Sequence, residues 1–427
     1  MIKIKMTINK QSFWDQETKT ALWRVVLEYQ DKRSRALEKN NLEEEGFREE
    51  IYRIKSQALA QINQLKKQAL ANLEANGIRV FEAKDDDQAR KIIEKLLQGK
   101  KRIIKAKTNA FGEIDQKGFL SDKNLQETDL GDFVISLLGE PEAHPVLPAL
   151  HLSPAKIAQA IEKKYQKKVA PTAKGVAEFA RGYLRKKINQ AQAGITGANA
   201  ITADGKIVVL ENEGNISLVS RLPQTHIVVA GFEKIVPSLT EALAVVQASA
   251  IWGTGQDWPA YVSVIASPSK TADIANQTII GAQGAKEVNL VLLDNGRRRL
   301  IEAGFSELLH CLNCGACLNF CPVYHQIGSC YGDKYLGSRG VIFAAFSDSF
   351  KKAKLANCFA CTLCSACLEN CPAKIDLPEL MRKLRTLLEK EGLQTKENEK
   401  MIANMRKFGN PFGKIEAGKI PKELYCC

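Results

Sequence analysis

The first 310 residues of this 427-residue sequence contain no cysteine, and all twelve cysteines lie from Cys311 onward. An extracellular disulfide framework would spread its cysteines over the fold, so this distribution argues against one. The cysteine-free part also lacks a thiol nucleophile, and the three histidines of residues 51–296 have no evident Ser–His–Asp or Cys–His partners. The sequence therefore indicates a large cysteine-free domain that is followed by a cysteine-rich redox module.

Long apolar runs are also absent, since no stretch reaches the roughly 18 apolar residues that a membrane helix needs. The opening residues, MIKIKMTINKQSFW, lack the apolar core of a secretory signal, so we expect a cytoplasmic protein without a membrane span. The formal net charge is +13, but Lys and Arg are dispersed among acids and no recognised nucleic-acid module is present. We therefore expect no nucleic-acid partner.

The sequence does contain one cysteine pattern twice. Residues 311–322 read CLNCGACLNFCP and residues 361–372 read CTLCSACLENCP, and each is a C-x2-C-x2-C-x3-C-P run. In two-cluster bacterial ferredoxins, three cysteines of such a run hold one [4Fe–4S] cube and the fourth binds the other cube. The ligands predicted for the first cube are Cys311, Cys314, Cys317 and Cys371. The ligands predicted for the second cube are Cys361, Cys364, Cys367 and Cys321.

The residue types between the cysteines have a physical reason. Two-residue gaps let a tight loop direct three thiolates at one cube, and small residues let backbone N–H groups approach the sulfur atoms. Zinc is the alternative, but a zinc site needs only four ligands, usually in two pairs, and eight cysteines exceed that need.

Four more cysteines lie outside the two runs: Cys330, Cys358, Cys426 and Cys427. Cys358 could replace a ligand if the register of the second run shifted by three residues. Cys330 is predicted to be a buried thiol. The C-terminal pair is expected to be free or weakly metal-binding.

Apolar strand candidates alternate with amphipathic helices before the cysteines, which predicts an α/β sheet domain. The predicted organisation is a helical segment at 1–50, the sheet domain at 51–296, a helical ferredoxin domain at 297–392 and a tail at 393–427. We expect the first segment to pack loosely and the charged tail to be partly extended. One long amphipathic helix is predicted over residues 42–75, and another helix over residues 300–309.

Two turn and cap signals are strong inside the sheet domain. Asp204-Gly205 between two apolar stretches predicts a tight hairpin. Ser238 followed three residues later by Glu241 forms a capping box, which predicts a helix that continues through Val246.

Several polar loops of the sheet domain are more specific than plain turns require. They read ETDLG at 127–131, GITGAN at 194–199 and ENEGN at 211–215. Such loops can supply donors for an anion, although Gly-Asn and Asn-Gly pairs more often make turns. The residues predicted for a possible ligand loop are Thr196, Asn199, Asn212, Glu213 and Asn215.

These motifs, in this order and followed by the doubled cysteine run, resemble the lactate-utilisation iron–sulfur protein family of the protein B type. The resemblance covers nearly the whole chain and includes DNGR at 294–297 and CPVY at 321–324. It implies an LUD domain, similar in fold to sugar-phosphate isomerases and CoA transferases, fused to a helical ferredoxin domain with two [4Fe–4S] clusters. The sequence departs from the family pattern at Asn109, at Ile216 and at residues 328–330.

The resemblance also implies a function. It indicates the electron-transfer subunit of an oxidoreductase complex that oxidises L-lactate to pyruvate, with other iron–sulfur or flavin subunits as partners. The sequence assigns no catalytic residue. A second hypothesis is electron transfer from another hydroxy acid or donor, or an LUD domain that itself binds or converts a small acid or an acyl-CoA. A third hypothesis is a scaffold or redox sensor with Cys426 and Cys427 as its reactive pair.

Overall fold

The computed structural model describes Trp14, residues 16–115 and residues 119–415. The α-helices of these residues are α1 Gln16–Lys39, α2 Glu44–Ala60, α3 Ile62–Ala75, α4 Asp86–Leu96, α5 Asn109–Ile114, α6 Leu130–Leu138, α7 Pro154–Tyr165, α8 Ala173–Asn189, α9 Asn215–Arg221, α10 Leu239–Thr254, α11 Arg297–Glu302, α12 Ala316–Asn319, α13 Tyr324–Ile327, α14 Gly337–Ser347, α15 Phe350–Leu355, α16 Ala366–Glu369, α17 Leu377–Lys390 and α18 Lys396–Phe408. Short 3-10 helices lie at Phe232–Lys234, Ser306–His310, Gly328–Cys330 and Cys358–Ala360. None of the helices in this part of the chain is long and apolar enough to cross a membrane.

The strands form three sheets. They are β1 Arg79–Ala83, β2 Arg102–Lys105, β3 Asn124–Glu127, β4 Ala193–Thr196, β5 Ala200–Thr202, β6 Ile207–Glu211, β7 Thr225–Gly231, β8 Ile235–Val236, β9 Tyr261–Ile265, β10 Lys270–Thr271, β11 Ile279–Ile280 and β12 Glu287–Leu293. The main sheet has the order β1-β12-β7-β4-β2-β3, a second has the order β8-β5-β6-β9, and β10 pairs with β11. The predicted α/β class is confirmed.

All strand pairs of the main sheet are parallel. Strands covered on both faces read as continuous apolar runs, and β4 and β7 are accordingly buried at every residue. Because the strands are parallel, their carboxyl ends lie along one edge of the sheet. Ligand sites of open α/β sheets lie outside that edge, so this edge is the expected position of a functional site.

The hairpin prediction is confirmed in part, and the cap prediction is confirmed. β5 and β6 pair antiparallel around Asp204-Gly205, with Gly205 at φ +83°, but their last pair is Ile201 with Ile207, so the loop is longer than a two-residue turn. Ser238 caps α10 by accepting a hydrogen bond from the N–H of Thr240 at 3.2 Å, and its hydroxyl is bonded to Glu241. The helix that they open is longer than expected and ends at Thr254.

Two helix predictions are wrong in part. The helix expected over residues 42–75 is two helices, α2 and α3, because Gln61 leaves the helical conformation. The helix expected over residues 300–309 ends at Glu302, where Gly304 takes φ +77°, and resumes as a 3-10 helix. The expectation of a partly extended tail stays a prediction: Thr395 is extended, α18 follows it, and residues 416–427 lie outside the described residues.

The expectation that the first segment packs loosely is also wrong. Leu22, Val26 and Tyr29 of α1 are buried, and the Tyr29 hydroxyl donates a hydrogen bond of 3.0 Å to the Trp252 carbonyl of α10. The Trp23 ring lies 4.9 Å from the ring of His325, just after the first cysteine run. α1 therefore holds the sheet domain and the cysteine-rich domain together.

The largest hydrophobic core continues from the sheet domain into the cysteine-rich domain. It joins α1–α3 and the second sheet to α14 and α17, through residues such as Ile51, Val246, Phe343 and Leu384. Two smaller cores lie on the main sheet, one around α4 and α5 and one around α6–α8. The boundaries at residues 51, 297 and 393 stay predictions, because a shared core crosses the first two.

Candidate metal centre

The two cysteine runs have the same backbone path. Each follows a 3-10 helix and ends in a four-residue helix, α12 or α16. Asn313 and Leu363 occupy matching positions at φ +63° and +58°, and Gly315 and Ser365 do so at +81° and +65°. Two left-handed residues in so short a loop turn successive backbone N–H groups toward the same side, which suits a bound anion.

The first group of cysteines draws on both runs. Burial raises the pKa of Cys317, and Cys311, Cys314 and Cys371 raise it further, so these thiols lie within electrostatic range of one another. Burial likewise raises the pKa of Cys371 to about 11, and Cys311 adds to this rise although the N–H of Ile375 opposes it. The fourth cysteine of the second run thus lies beside the first three of the first run.

The second group mirrors the first. Burial raises the pKa of Cys367 to about 12, and Cys321, Cys361 and Cys364 raise it further. Burial also raises the pKa of Cys321 to about 11, with added rises from Cys361 and Cys364 against the N–H groups of Tyr324 and Val323. These interactions link each fourth cysteine to the opposite run, but Cys367 acts on Cys317 as well, so the two sets of four ligands stay a prediction.

Backbone N–H groups lie near the thiols, but the side chains do not converge as the ligands of a single metal ion would. The N–H of Asn313 lies 3.4 Å from Cys311 Sγ, and the N–H of Tyr324 lies 3.5 Å from Cys321 Sγ. In the part of the chain that the structure describes, no three His, Cys, Asp or Glu side chains converge as they would around one ion such as zinc. A cube, which spreads four cysteines over four irons, is the group that the doubled cysteine run predicts.

The two groups differ in exposure although their sequences are nearly the same. Ala316 and Leu318 of the first run are 0% and 2% exposed. Ala366 and Leu368, at the matching positions of the second run, are only partly buried, and Cys364 is exposed. The second run is therefore more open to water than the first, although Cys311, Cys314 and Cys317 are themselves only partly buried.

The cover of the first group comes from the sheet domain and α1. The His144 ring packs on Gly315 and lies 3.4 Å from its carbonyl oxygen. The Trp14 ring lies 5.1 Å from that of Tyr324, three residues after Cys321. Both contacts cover part of the first run, while Cys311, Cys314 and Cys317 stay partly exposed.

The cysteines outside the runs do not join either group. Cys358 is fully buried in an apolar site, with its thiol 3.4 Å from the Met381 sulfur. Cys330 is partly exposed, so the prediction of a buried thiol is wrong. Cys426 and Cys427 lie outside the described residues.

A buried ionic network stands where β7 and β12 end. Arg297 is 1% exposed and donates to both oxygens of Glu113, at 2.6 and 2.9 Å, and to Glu233. Burial alone would raise the pKa of Glu233, but Arg297 and then Lys234 hold that pKa at about 2. Tyr335, from the loop before α14, donates its hydroxyl to Glu113. The network therefore ties the carboxyl edge of the main sheet to the cysteine-rich domain.

Two buried lysines extend this network toward the first group. Lys234 Nζ donates to the carbonyl oxygen of Cys311 at 3.3 Å. Lys55 Nζ donates to the carbonyl oxygen of Glu233 at 2.5 Å, and burial followed by Lys234 lowers the pKa of Lys55 to about 7. The sequence reasoning missed Lys234. The signal that could have found it is its position directly after the buried strand β7, at the carboxyl edge.

Three side chains of the predicted ligand loop form hydrogen bonds within the sheet domain. Thr196 Oγ1 lies 2.8 Å from His226 Nε2, and Asn199 Oδ1 accepts from the N–H of Leu210 at 3.0 Å. Asn212 Oδ1 accepts from the N–H of Ala260 at 2.9 Å. These three side chains hold turns and strands in place.

The other two loop residues lie beside charged groups at the ends of β2 and β3. Asn215 donates to Thr128 Oγ1 at 3.2 Å, and Glu213 accepts from the N–H of Leu130 at 3.2 Å. The Glu213 carboxylate stays open to water, yet partial burial and then Asp129 raise its pKa to about 7. Lys107 neutralises part of this acidic surface through Asp132, at 2.7 Å. The structure thus brings Glu213 and Asn215 near one edge without freeing either from the scaffold.

Comparison with known families matches two models to the chain. An LUD domain matches residues 66–293, and a 4Fe-4S dicluster domain matches residues 307–375. These matches confirm the two domain types expected from the sequence and support iron–sulfur clusters in the second one. In structure, the chain is similar to a DUF162 family protein from Deinococcus radiodurans, with a TM-score of 0.32 and 13% identity over 54% of this chain and 98% of that one.

Similar curated proteins extend over most of the chain. Lactate utilization protein B from Bacillus pumilus is 34% identical over 373 residues, which are 86% of this chain and 76% of the relative. The protein of the same name from Bacillus subtilis is 34% identical over 76% of this chain and 68% of its own length. An Escherichia coli protein described as an uncharacterized electron transport protein is 29% identical over 84% of this chain and 75% of its own. The chain belongs to the family of LUD-domain iron–sulfur proteins that includes lactate utilization protein B.

Proposed function

We propose that this chain is a cytoplasmic electron-transfer subunit of a complex that oxidises L-lactate to pyruvate. Its two [4Fe–4S] cubes are held by two sets of ligands. The first cube is held by Cys311, Cys314, Cys317 and Cys371, and the second by Cys361, Cys364, Cys367 and Cys321. When bound, such cubes take up and release one electron at a time.

The observation that supports this proposal is the electrostatic interaction of each fourth cysteine with cysteines of the other run. Cys371 lies near Cys311, and Cys321 lies near Cys361 and Cys364, as a two-cluster ferredoxin arrangement requires. Cys317 and Cys367 interact as well, which brings the two groups close to one another. The names of the relatives from Bacillus support lactate as the donor of electrons.

The protein environment gives the two positions different tasks. Leu318 and the sheet domain cover the first run more fully than the second run is covered, which favours the first cube as the better-protected electron store. Cys364 opens the second group to the surface, so a partner subunit can approach it there. Electrons therefore enter or leave through the second group and rest on the first.

Analysis of iron content tests the ligand sets. The full chain isolated without oxygen should hold about eight irons and about eight sulfides. Cys371→Ser and Cys314→Ser should alter the same cube, and Cys321→Ser and Cys364→Ser the other one. Cys330→Ser is the matched control, because its partly exposed thiol lies outside both groups. If Cys371→Ser instead altered the cube that Cys364→Ser alters, the crossing assignment would be wrong.

Isolation of the native complex tests the electron donor. We expect iron–sulfur or flavin subunits to co-purify without oxygen, and added L-lactate to bleach the visible absorbance of the cubes. The Cys364→Ser chain, with the same partners, should respond far less. If another hydroxy acid bleached the cubes and lactate did not, the electron-transfer role would stand, but the assignment of lactate as the electron donor would be refuted.

Direct binding of a small acid or an acyl-CoA by the LUD domain stays the alternative. The side chains predicted for it are bonded within the domain, so no observation of the site favours this alternative. Calorimetry of the full chain with millimolar lactate or pyruvate distinguishes the two. Saturable binding that Asn215→Ala removes would support the alternative.

A further inference from the structure

Helix α14 runs between the two cysteine groups and presents one side chain of its first turn toward each. Ser338 Oγ lies 3.9 Å from Cys361 Sγ of the second group. The next residue, Arg339, is 8% exposed, and among its charged neighbours Cys311 of the first group stabilises its positive charge most. A single helical turn therefore contacts both groups with different chemistry.

The Arg339 guanidinium is buried without enough acceptors. Its Nε and Nη1 atoms have no hydrogen-bond partner among the described residues. Its flat face lies 3.6 Å from the centre of the Tyr335 ring, which supplies a cation–π contact but no acceptor for these N–H groups. A buried cation with unpaired donors is costly, so the site requires an anion that the protein chain alone does not provide.

The nearby carboxylates are already occupied. Both oxygens of Glu113 accept from Arg297, and Tyr335 and Asn295 add further hydrogen bonds to them. Both oxygens of Glu233 also accept from Arg297. Among the charged neighbours of Arg339, this leaves Cys311 and the group that its sulfur would hold.

We propose that Arg339 is a positioning residue that supplies charge and N–H donors to the cube on Cys311 and raises the reduction potential of that cube above that of the second. This inference rests on the proposed function, since it requires the two cubes. A cube with four thiolates is an anion that gains one more negative charge on reduction. A fixed cation in a buried site stabilises the reduced form more than the oxidised form.

The surroundings of the second group contain a natural contrast. Arg385 approaches it but donates to the backbone carbonyls of Cys358, at 3.0 Å, and Cys361, at 2.6 Å. Its N–H groups are thus engaged, and its side chain is only partly buried. On the first side, Lys234 adds a second buried cation against the Cys311 carbonyl. Electrons should therefore rest on the first cube.

Potentiometric titration of the oxygen-free full chain, followed by electron paramagnetic resonance, tests the role of Arg339. Arg339→Gln keeps a donor but removes the charge. We expect it to lower the potential of one reduction step so that the ratio of reduced to oxidised cube falls at least tenfold at a fixed potential, which is 59 mV for one electron. The other step should not move. Arg339→Lys should show a smaller shift of the same step.

Two controls separate the outcomes. Arg385→Gln should shift the other step or neither, and iron and sulfide content is measured for every variant. If Arg339→Gln retains both cubes and neither step moves, or both move equally, the inference is refuted. If Arg339→Gln loses iron and Arg339→Lys has an unchanged step, Arg339 has only a structural role. A wild-type chain without two cubes would refute the proposed function itself, independently of Arg339.

Discussion

Arg297 offers the most direct test of how the two domains are held together. Its guanidinium bonds to Glu113 and Glu233, and the side chains of all three residues are at most 4% exposed. The substitution Arg297→Met keeps much of the volume but leaves two carboxylates buried without their main partner. Tyr335 of the cysteine-rich domain donates its hydroxyl to Glu113 of the sheet domain. Without Arg297, this acceptor would no longer be held in position.

The expected cost is large. Removing one member of a buried ionic group costs about 3–5 kcal/mol, and two orphaned carboxylates argue for the upper end. Domains have a total free energy of unfolding of about 5–15 kcal/mol, so the variant should be close to its limit. Replacing all three residues by neutral ones, as in Glu113→Gln/Glu233→Gln/Arg297→Met, should recover most of the loss because no buried charge remains unpaired.

The cost should depend on pH. In the wild type the pKa of Glu233 is held at about 2, so its ion pair contributes stability above pH 4.5 that is lost as pH falls toward 2. Without Arg297, burial raises the pKa of this carboxyl, and protonation relieves the strain of an unpaired charge. The difference between wild type and Arg297→Met should therefore be largest at pH 7 and shrink as the pH falls toward 4.5.

Denaturant unfolding without oxygen, at pH 7 and pH 5, measures these differences. The matched control is the neighbouring Arg298, whose side chain is 56% exposed and pairs with Asp294 at 3.0 Å. Arg298→Met should cost less than about 1 kcal/mol, as exposed ion pairs do. Equal costs for Arg297→Met and Arg298→Met would refute the assignment of a stabilising buried network.

Three further predictions concern single positions. Burial lowers the pKa of His226 to about 3, so the folded state loses stability as the pH falls from 6.5 toward 3. The loss should be up to about 1.4 kcal/mol per pH unit. His226→Gln should remove this dependence when unfolding is measured across that pH range. Gly315→Ala would place a Cβ 2.5 Å from the His144 ring at φ +81°, so thermal unfolding should report a loss of about 1–3 kcal/mol, whereas Ser365→Gly at the matching position should be nearly neutral. Cys358→Ser should keep full iron content but lose about 1–3 kcal/mol, because it buries a hydroxyl among apolar groups; loss of a whole cube would make Cys358 a ligand.

The parts of the fold that the sequence predicted are those set by local chemistry. The cysteine runs, the hairpin at Asp204-Gly205 and the cap at Ser238 each depend on a few adjacent residues. The break at Gln61 was not predictable, because that position has neither Gly nor Pro and its backbone is set by tertiary packing. The same limit applies to the N-terminal segment, whose aromatic residues find partners about 300 residues away in the chain.

The candidate site also has one part that is set by local sequence and another that is set by tertiary packing. The eight cysteines could be recognised from their spacing, which is a local feature of the sequence. The loop residues Thr196 and Asn212 look like ligand donors in sequence, because turns and ligand loops use the same residue types. The role of Arg339 follows from which carboxylates Arg297 has already occupied, and this competition exists only in three dimensions.

The position of α1 over the first cysteine run has a consequence for the order of events during synthesis. Lys19 reaches Gln326, 307 residues later in the chain, at 2.9 Å. A ribosome adds about 5–20 residues per second, so the contact of Lys19 can form only roughly 15–60 s after α1 is made. Helix α10, whose Trp252 carbonyl accepts a hydrogen bond from Tyr29, is made earlier. The sheet domain can therefore fold against α1 before the cysteine runs complete the contact.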